Sequence, residues 1–310
     1  MAAPRSAHRL VEFPSQGATL RGRLYVHGAG TPEPIVVMTH GFSATITGMV
    51  ADRYAEVLHA AGLNVLLFDH RSFGLSGGEP RQVLNRWIQA RGYRDALDFV
   101  SALPEVDASR VALWGDSLSG SMALGVAAFD ERVRAVVVQV PACGSEPPPA
   151  DPDGSSFRAL RVTFLEADVE SNPKETIGPM PVVSPDQIGS PSLLTPITAF
   201  RWFIDYGGRP GTNWQNWTIR VVADTPVPYH AGLCAPHLHG ASLWVIAGDD
   251  EMPGAEPDVA RMAFDAAPQP KELLEVEGGH FGLLYHPSPL FDQVSAAQAD
   301  FLLRHLGGRT

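Results

Sequence analysis

The chain has 310 residues, 45% of them hydrophobic, with no tract of biased composition; this suits one large core with room for an inserted subdomain. A formal net charge of −11 argues against nucleic acid or an anionic membrane as partner, because both need clustered Lys and Arg. The opening MAAPRSAHRLVEFPSQ holds no apolar stretch of signal-peptide length, and no run of about 18 uncharged apolar residues occurs anywhere, so a cytoplasmic protein without a membrane span is expected.

In chain order, Thr19 to Val26 alternates apolar and polar residues like a half-buried antiparallel edge strand, with a turn at Gly28-Ala29-Gly30. Short, continuously apolar runs follow at Ile35 to Met38, Val65 to Phe68, Val111 to Trp114, Val133 to Val140 and Leu243 to Ala247, the pattern of parallel strands buried on both faces. Amphipathic stretches of helical length, Asp52 to Ala61, Tyr93 to Ala102 and Ser119 to Phe129, lie between them. Strands and helices that alternate in this way predict an α/β fold with a doubly wound, mostly parallel sheet. Such sheets carry their sites beyond the carboxyl ends of the strands.

The alternation fails from about Ser145 to Ala235, a segment that opens with Glu146-Pro147-Pro148-Pro149. It contains two helix-like stretches, Phe157 to Glu170 and Pro196 to Tyr206, and three of the six tryptophans: Trp202, Trp214 and Trp217. A loop of this length without structure does not suit a compact domain, so residues 145–235 read as an inserted helical cap between core segments 1–144 and 236–310; the bland alternative is a surface decoration. Cys143 and Cys234 permit one disulfide at most and lack metal-ligand spacing, and free buried thiols are expected.

Val111 to Gly120, VALWGDSLSG, reads as strand, tight turn and helix, a nucleophile elbow. The central residue of such a turn is strained, and the residues two before and two after it must be small. With Ser117 central the flanks are Gly115 and Ser119; with Asp116 central they are Trp114 and Leu118, which clash, and with Ser119 central glycine is missing. The bland reading of Ser117 is a helix N-cap, so its weight depends on partners. Gly248-Asp249-Asp250-Glu251 follows a late strand and supplies a carboxylate, with Asp250 preferred and Asp249 open, while a solvated acidic turn is the bland alternative. Glu277-Gly278-Gly279-His280 supplies an imidazole on a glycine-rich loop near the C-terminus. His237, His239, His286 and His305 read as surface or capping residues, and His40 as a buttress of its loop. The order Ser, acid, His then assigns Ser117 as nucleophile, His280 as general base and Asp250 as its orienting acid. The N–H groups of Leu118 and Phe42, in Thr39-His40-Gly41-Phe42, are the expected oxyanion hole.

On these motifs the chain resembles the α/β-hydrolase superfamily over nearly its whole length outside the insertion. Phe68 to Gly78, FDHRSFGLSGG, is similar to that family's D-x-R-G-x-G-x-S-x-G loop, with Ser72 in place of the first glycine. Within the superfamily it looks most like dienelactone-hydrolase-related and X-prolyl-peptidase-related proteins, and like hydrolases and acyltransferases that release polyketides from their synthases. The dienelactone type has a Cys nucleophile where this chain has Ser117, so that activity is not carried over.

The expected function is that of a serine hydrolase acting through an acyl-enzyme on a carboxylic ester or thioester, needing no cofactor and no metal. Trp202, Tyr206, Trp214 and Trp217 are candidates to line an apolar acyl pocket for a small-molecule substrate, or else form the cap's own core. Acyl transfer to an alcohol or amine, and peptidase or C–C bond hydrolysis, use the same residues. A non-catalytic binding protein on this fold is the alternative of another class, and the sequence leaves a homodimer open.

Overall fold

The computed structural model describes residues 7–27 and 30–307; the expected turn at Gly28-Ala29-Gly30 falls largely outside the described residues. The first half of the chain forms β1 (Arg9–Ser15), β2 (Ala18–Tyr25), β3 (Glu33–Thr39), α1 (Ala51–Ala60), β4 (Asn64–Phe68), β5 (Val83–Asn85), α2 (Arg86–Ser101), β6 (Val106–Asp116), α3 (Ser117–Phe129) and β7 (Val133–Gln139). The intervening segment contributes α4 (Ser155–Glu166), β8 (Pro173–Met180), α5 (Ile197–Tyr206), β9 (Thr218–Ala223) and α6 (Ala231–Cys234). The chain returns to the core with β10 (Ala241–Ala247), α7 (Pro257–Ala266), β11 (Lys271–Val276), α8 (Gly279–Gly282) and α9 (Pro289–Leu306).

Eight strands form the main sheet in the order β1-β2-β4-β3-β6-β7-β10-β11, parallel from β4 onward and antiparallel at the β1 and β2 end. This is the doubly wound α/β sheet that the apolar runs imply. Every residue of β3, β4 and β10 is buried, which is why those runs carry no alternation. The strand expected at the edge, β2, is covered by β1, whose Pro14 suits an edge position. Helix α2 begins at Arg86, seven residues before the expected Tyr93, because the Asn85 side chain accepts from the Trp87 and Ile88 N–H groups and caps it.

The segment between β7 and β10, expected to be a helical cap, is not purely helical. Besides α4 and α5 it contains β8 and β9, which join β5 of the core in a second sheet of order β5-β9-β8. These strands escape a reading by periodicity, since β8 has no buried residue and β9 only its two ends.

Two hydrophobic layers sandwich the main sheet, one under α2 and α3, the other under α1 and α9. In the second, the Trp114 indole N–H donates to Gln298 of α9 at 2.8 Å, and the Gln298 amide donates to Gln139 of β7 at 2.7 Å. Cys143 and Cys234 are free and buried, and burial pushes the Cys143 thiol up to about 12. Among the described residues no helix is long and apolar enough to cross a membrane.

Candidate active site

The turn from β6 into α3 places Ser117 at the carboxyl edge of the sheet with φ of 52°, a left-handed conformation that costs a β-substituted residue on the order of 1–3 kcal/mol. Its tightness explains Gly115: a methyl group there would stand 2.5 Å from the carbonyl carbon and oxygen of Ser119. The frame with Ser117 central is the one the backbone adopts.

His280 Nε2 lies 2.9 Å from Ser117 Oγ, and His280 Nδ1 lies 2.8 Å from Asp250 Oδ2. Both the His280 and Asp250 side chains are 2% exposed, so the ion pair that forms when the imidazole takes a proton is shielded from water. With Nδ1–H donating to Asp250, Nε2 is left to accept from the Ser117 hydroxyl.

The acidic run divides into three jobs. Asp250 also accepts from the Met252 N–H at 2.8 Å, which fixes its carboxylate toward the imidazole. Asp249 turns the other way and accepts from the Gly279 N–H at 2.9 Å and the Gly278 N–H at 3.0 Å; those bonds hold its carboxyl below the usual range. Glu251 accepts from the His280 N–H at 2.9 Å and from the Thr198 hydroxyl, linking α5 to the loop that carries the imidazole. A methyl group at Gly279, whose φ is 66°, would strike Glu251 Oε2 at 2.5 Å.

A second network lies beneath Ser117. The His40–Gly41 peptide is held at both ends: Gly41 N–H donates to Asp116 Oδ1 at 2.9 Å, and the Ser119 hydroxyl donates to the His40 carbonyl. Because that hydroxyl has given its proton, it accepts from His70 Nε2–H at 2.9 Å. Burial, then the neighbouring His40, pushes the His70 imidazole down to about 3, so it stays neutral. His40 Nε2 accepts from the Ala51 N–H at 3.3 Å, which suits a buttress. Fixing this peptide sets the direction of the next N–H, that of Phe42, which has no acceptor among the described residues. Leu118 is the second residue of α3, and first-turn N–H groups have no partner within a helix. Ser119, a departure from the usual glycine in the sequence motif, thus has a hydrogen-bonding task that its identity alone does not reveal.

The FDHRSFGLSGG loop is structural. Asp69 accepts from the Ile46 and Leu75 N–H groups at 2.9 and 2.8 Å, and burial raises it to about 6. Ser72, with φ of 69° where a glycine is usual, exchanges hydrogen bonds of 3.0 Å with the backbone of Val83 and so ties the loop to β5.

Ser117 and His280 face a cavity of about 30 Å³ walled by Phe42, Leu194, Trp202, Phe203, Met252 and Phe281, with Leu284 beside them. Of the aromatic candidates, Trp202 alone lines it. Tyr206 stands behind, exchanging hydrogen bonds with the backbone of His286, and Trp214 packs on Phe203 with its indole N–H toward Ser43. Trp217 does not line this wall and donates to Gln215 at 2.8 Å. Trp202 and Phe203 face the cavity, whereas Tyr206, one turn on along the same stripe of α5, packs on Trp202 outside the cavity wall, and Trp214 and Trp217 lie beyond the end of the helix.

Residues 36–293 match the alpha/beta hydrolase family, and the chain belongs to it. Polyketide transferase grgF of a Penicillium species is 35% identical over 310 residues, 96% of each chain. Thiohydrolase aneE of Aspergillus aculeatus is 43% identical over 132 residues, a match that spans 42% of this chain and 41% of that protein. The solved structure of DcsB in complex with its substrate analogue has a TM-score of 0.71 at 24% identity, covering 97% of this chain and 100% of that one, which shows a common fold.

Proposed function

We propose that the chain is a serine enzyme that transfers an acyl group from a carboxylic ester or thioester, through an acyl-enzyme on Ser117, to water. The observation that carries this reading is the unbroken line Ser117 Oγ, His280 Nε2, His280 Nδ1 and Asp250 Oδ2, with separations of 2.9 and 2.8 Å. His280 takes the Ser117 proton as Oγ attacks the carbonyl, Asp250 stabilises the imidazolium, and the Phe42 and Leu118 N–H groups receive the oxyanion. His280 then hands the proton to the departing alcohol or thiol, and water repeats the sequence on the acyl-enzyme. The apolar wall formed by Trp202, Phe203 and Phe281 favours an apolar acyl group.

Transfer to an alcohol or amine in place of water is the second reading. It is favoured by the apolar lining of the cavity at Ser117, which holds water weakly, and by the likeness to a polyketide transferase.

Labelling with a fluorophosphonate probe tests both. An adduct located on Ser117 by mass spectrometry, absent from Ser117→Ala, supports the acyl-enzyme; turnover of p-nitrophenyl esters and acyl thioesters of graded length then defines the acyl group. A wild-type protein that is neither labelled nor active on these substrates overturns it in favour of a binding protein.

A further inference from the structure

The sheet β5-β9-β8 brings three cations together, two on its strands and one at the start of the helix that follows β5. Arg86 directly follows β5, Arg220 lies on β9 opposite Leu84, and Lys174 sits on β8 where pairing with β9 skips a residue between Pro173 and Glu175. Paired strands run about 4.8 Å apart, so neighbouring side chains on one face meet, and a bulge re-aims the residue it inserts. All three line a cavity of about 190 Å³ whose remaining wall is largely apolar, with Leu84, Trp87 and Tyr229 prominent.

Among the described residues none of the three forms an ion pair or a side-chain hydrogen bond. This is notable in a chain with 34 acidic residues against 23 Lys and Arg, where Arg132 and Arg304 each pair with two carboxylates. Enclosure, then the charge of Arg220, pulls the Arg86 guanidinium down to about 10. Cations that converge in a partly enclosed, apolar cavity destabilise one another unless an anion joins them.

We propose that this cavity binds an organic carboxylate, its charge held between Arg86 and Arg220 with Lys174 at the rim, its apolar body on Leu84, Trp87 and Tyr229. The planar guanidinium fork matches a carboxylate, and the apolar wall disfavours a fully hydrated inorganic anion. One lining residue also touches the helix that begins at Ser117: the Tyr229 hydroxyl donates to the Ser121 carbonyl at 2.7 Å, four residues, or about 6 Å of helical rise, beyond Ser117. The inference stands on these cations and not on the acyl-transfer reading.

Calorimetric titration with octanoate, using octan-1-ol as the uncharged control, decides it. The expected result is octanoate binding that weakens with added salt, exceeds that of the alcohol, and falls at least about tenfold in Arg86→Gln and in Arg220→Gln and about threefold in Lys174→Gln. Lys174 is exposed and Arg220 only partly buried, so those two variants keep the test open if Arg86→Gln fails to fold. Octanoate that does not bind at millimolar concentration overturns the proposal. So does octanoate that binds all three variants as it binds wild type, as it would at the Ser117 cavity. The readout is binding, so it stands even if Ser117 proves unreactive.

Discussion

Two sets of side chains meet at Ser117, and they are built for opposite electrical tasks. On the cavity side, His280 stands between Ser117 and Asp250, where a proton can pass and the resulting charge has a partner. Beneath the turn, Asp116, Ser119, His40 and His70 form a network that holds the His40–Gly41 peptide, and its His70 imidazole is kept neutral by burial. Both sets contain histidines bonded to a serine hydroxyl at 2.9 Å, so hydrogen-bond distance alone does not tell the proposed base from a brace. The partner does: His280 Nδ1 has Asp250, whereas among the described residues His70 Nδ1 is buried without one.

The largest effect that sharpens this contrast is expected on the cavity side. Asp250→Asn leaves the imidazole in the wrong tautomer, and kcat should fall about 10⁴-fold. Asp249→Asn retains an oxygen for the Gly278 and Gly279 N–H groups and should leave kcat within about tenfold. Steady-state kinetics of the two variants in parallel is the check; the reverse order would assign the acid to Asp249.

An intermediate effect is expected from the brace. Ser119→Ala removes the donor to the His40 carbonyl and strands the His70 N–H, so the loop bearing the Phe42 N–H loses its fixed direction. The expected outcome is a fall in kcat of about tenfold to a hundredfold with KM changed by less than about threefold, since the oxyanion donor proposed at Phe42 would act in the transition state. A rise in KM at constant kcat would instead place Ser119 in ground-state binding.

The smallest effect is on stability and depends on pH. His70 titrates near 3 in the folded chain and near 6.5 when unfolded. Below pH 6.5 the unfolded state therefore binds the extra proton, and stability falls with acidification by up to about 1.4 kcal/mol per pH unit until pH 3 is reached. His70→Gln, which keeps a donor for Ser119, should lose about 2 kcal/mol less than wild type between pH 7 and pH 5, read from urea midpoints. Parallel losses would mean that His70 is not held neutral.

Much of the core was legible because burial on both faces leaves a strand little choice of residue: the runs at Ile35, Val65, Val111, Val133 and Leu243 each mark a strand of the main sheet. The approach of Ser117, Asp250 and His280 followed from the order of motifs along such a sheet. The rest was hidden for physical reasons. Strands β8 and β9 are exposed or half-buried and are held by pairing, so their composition carries no period. The tasks of Ser119 and Glu251 depend on groups 79 and 29 residues away, His40 and His280, which spacing does not reveal. The facing of Trp202, Tyr206, Trp214 and Trp217 is set by how α5 and its flanks seat on Phe281 and Ser43, a matter of docking and not of composition.

The amide link from Trp114 through Gln298 to Gln139 has a consequence for synthesis. Its partners lie 184 and 159 residues apart, and Gln298 is in the last helix. Translation proceeds from the amino terminus, so the sheet's central strands leave the ribosome with an indole N–H and an amide oxygen whose partner has yet to be made. The nascent chain thus completes its interior only when α9 emerges, and a protein trimmed before Gln298 would carry that same incompleteness permanently, with two buried polar groups unanswered.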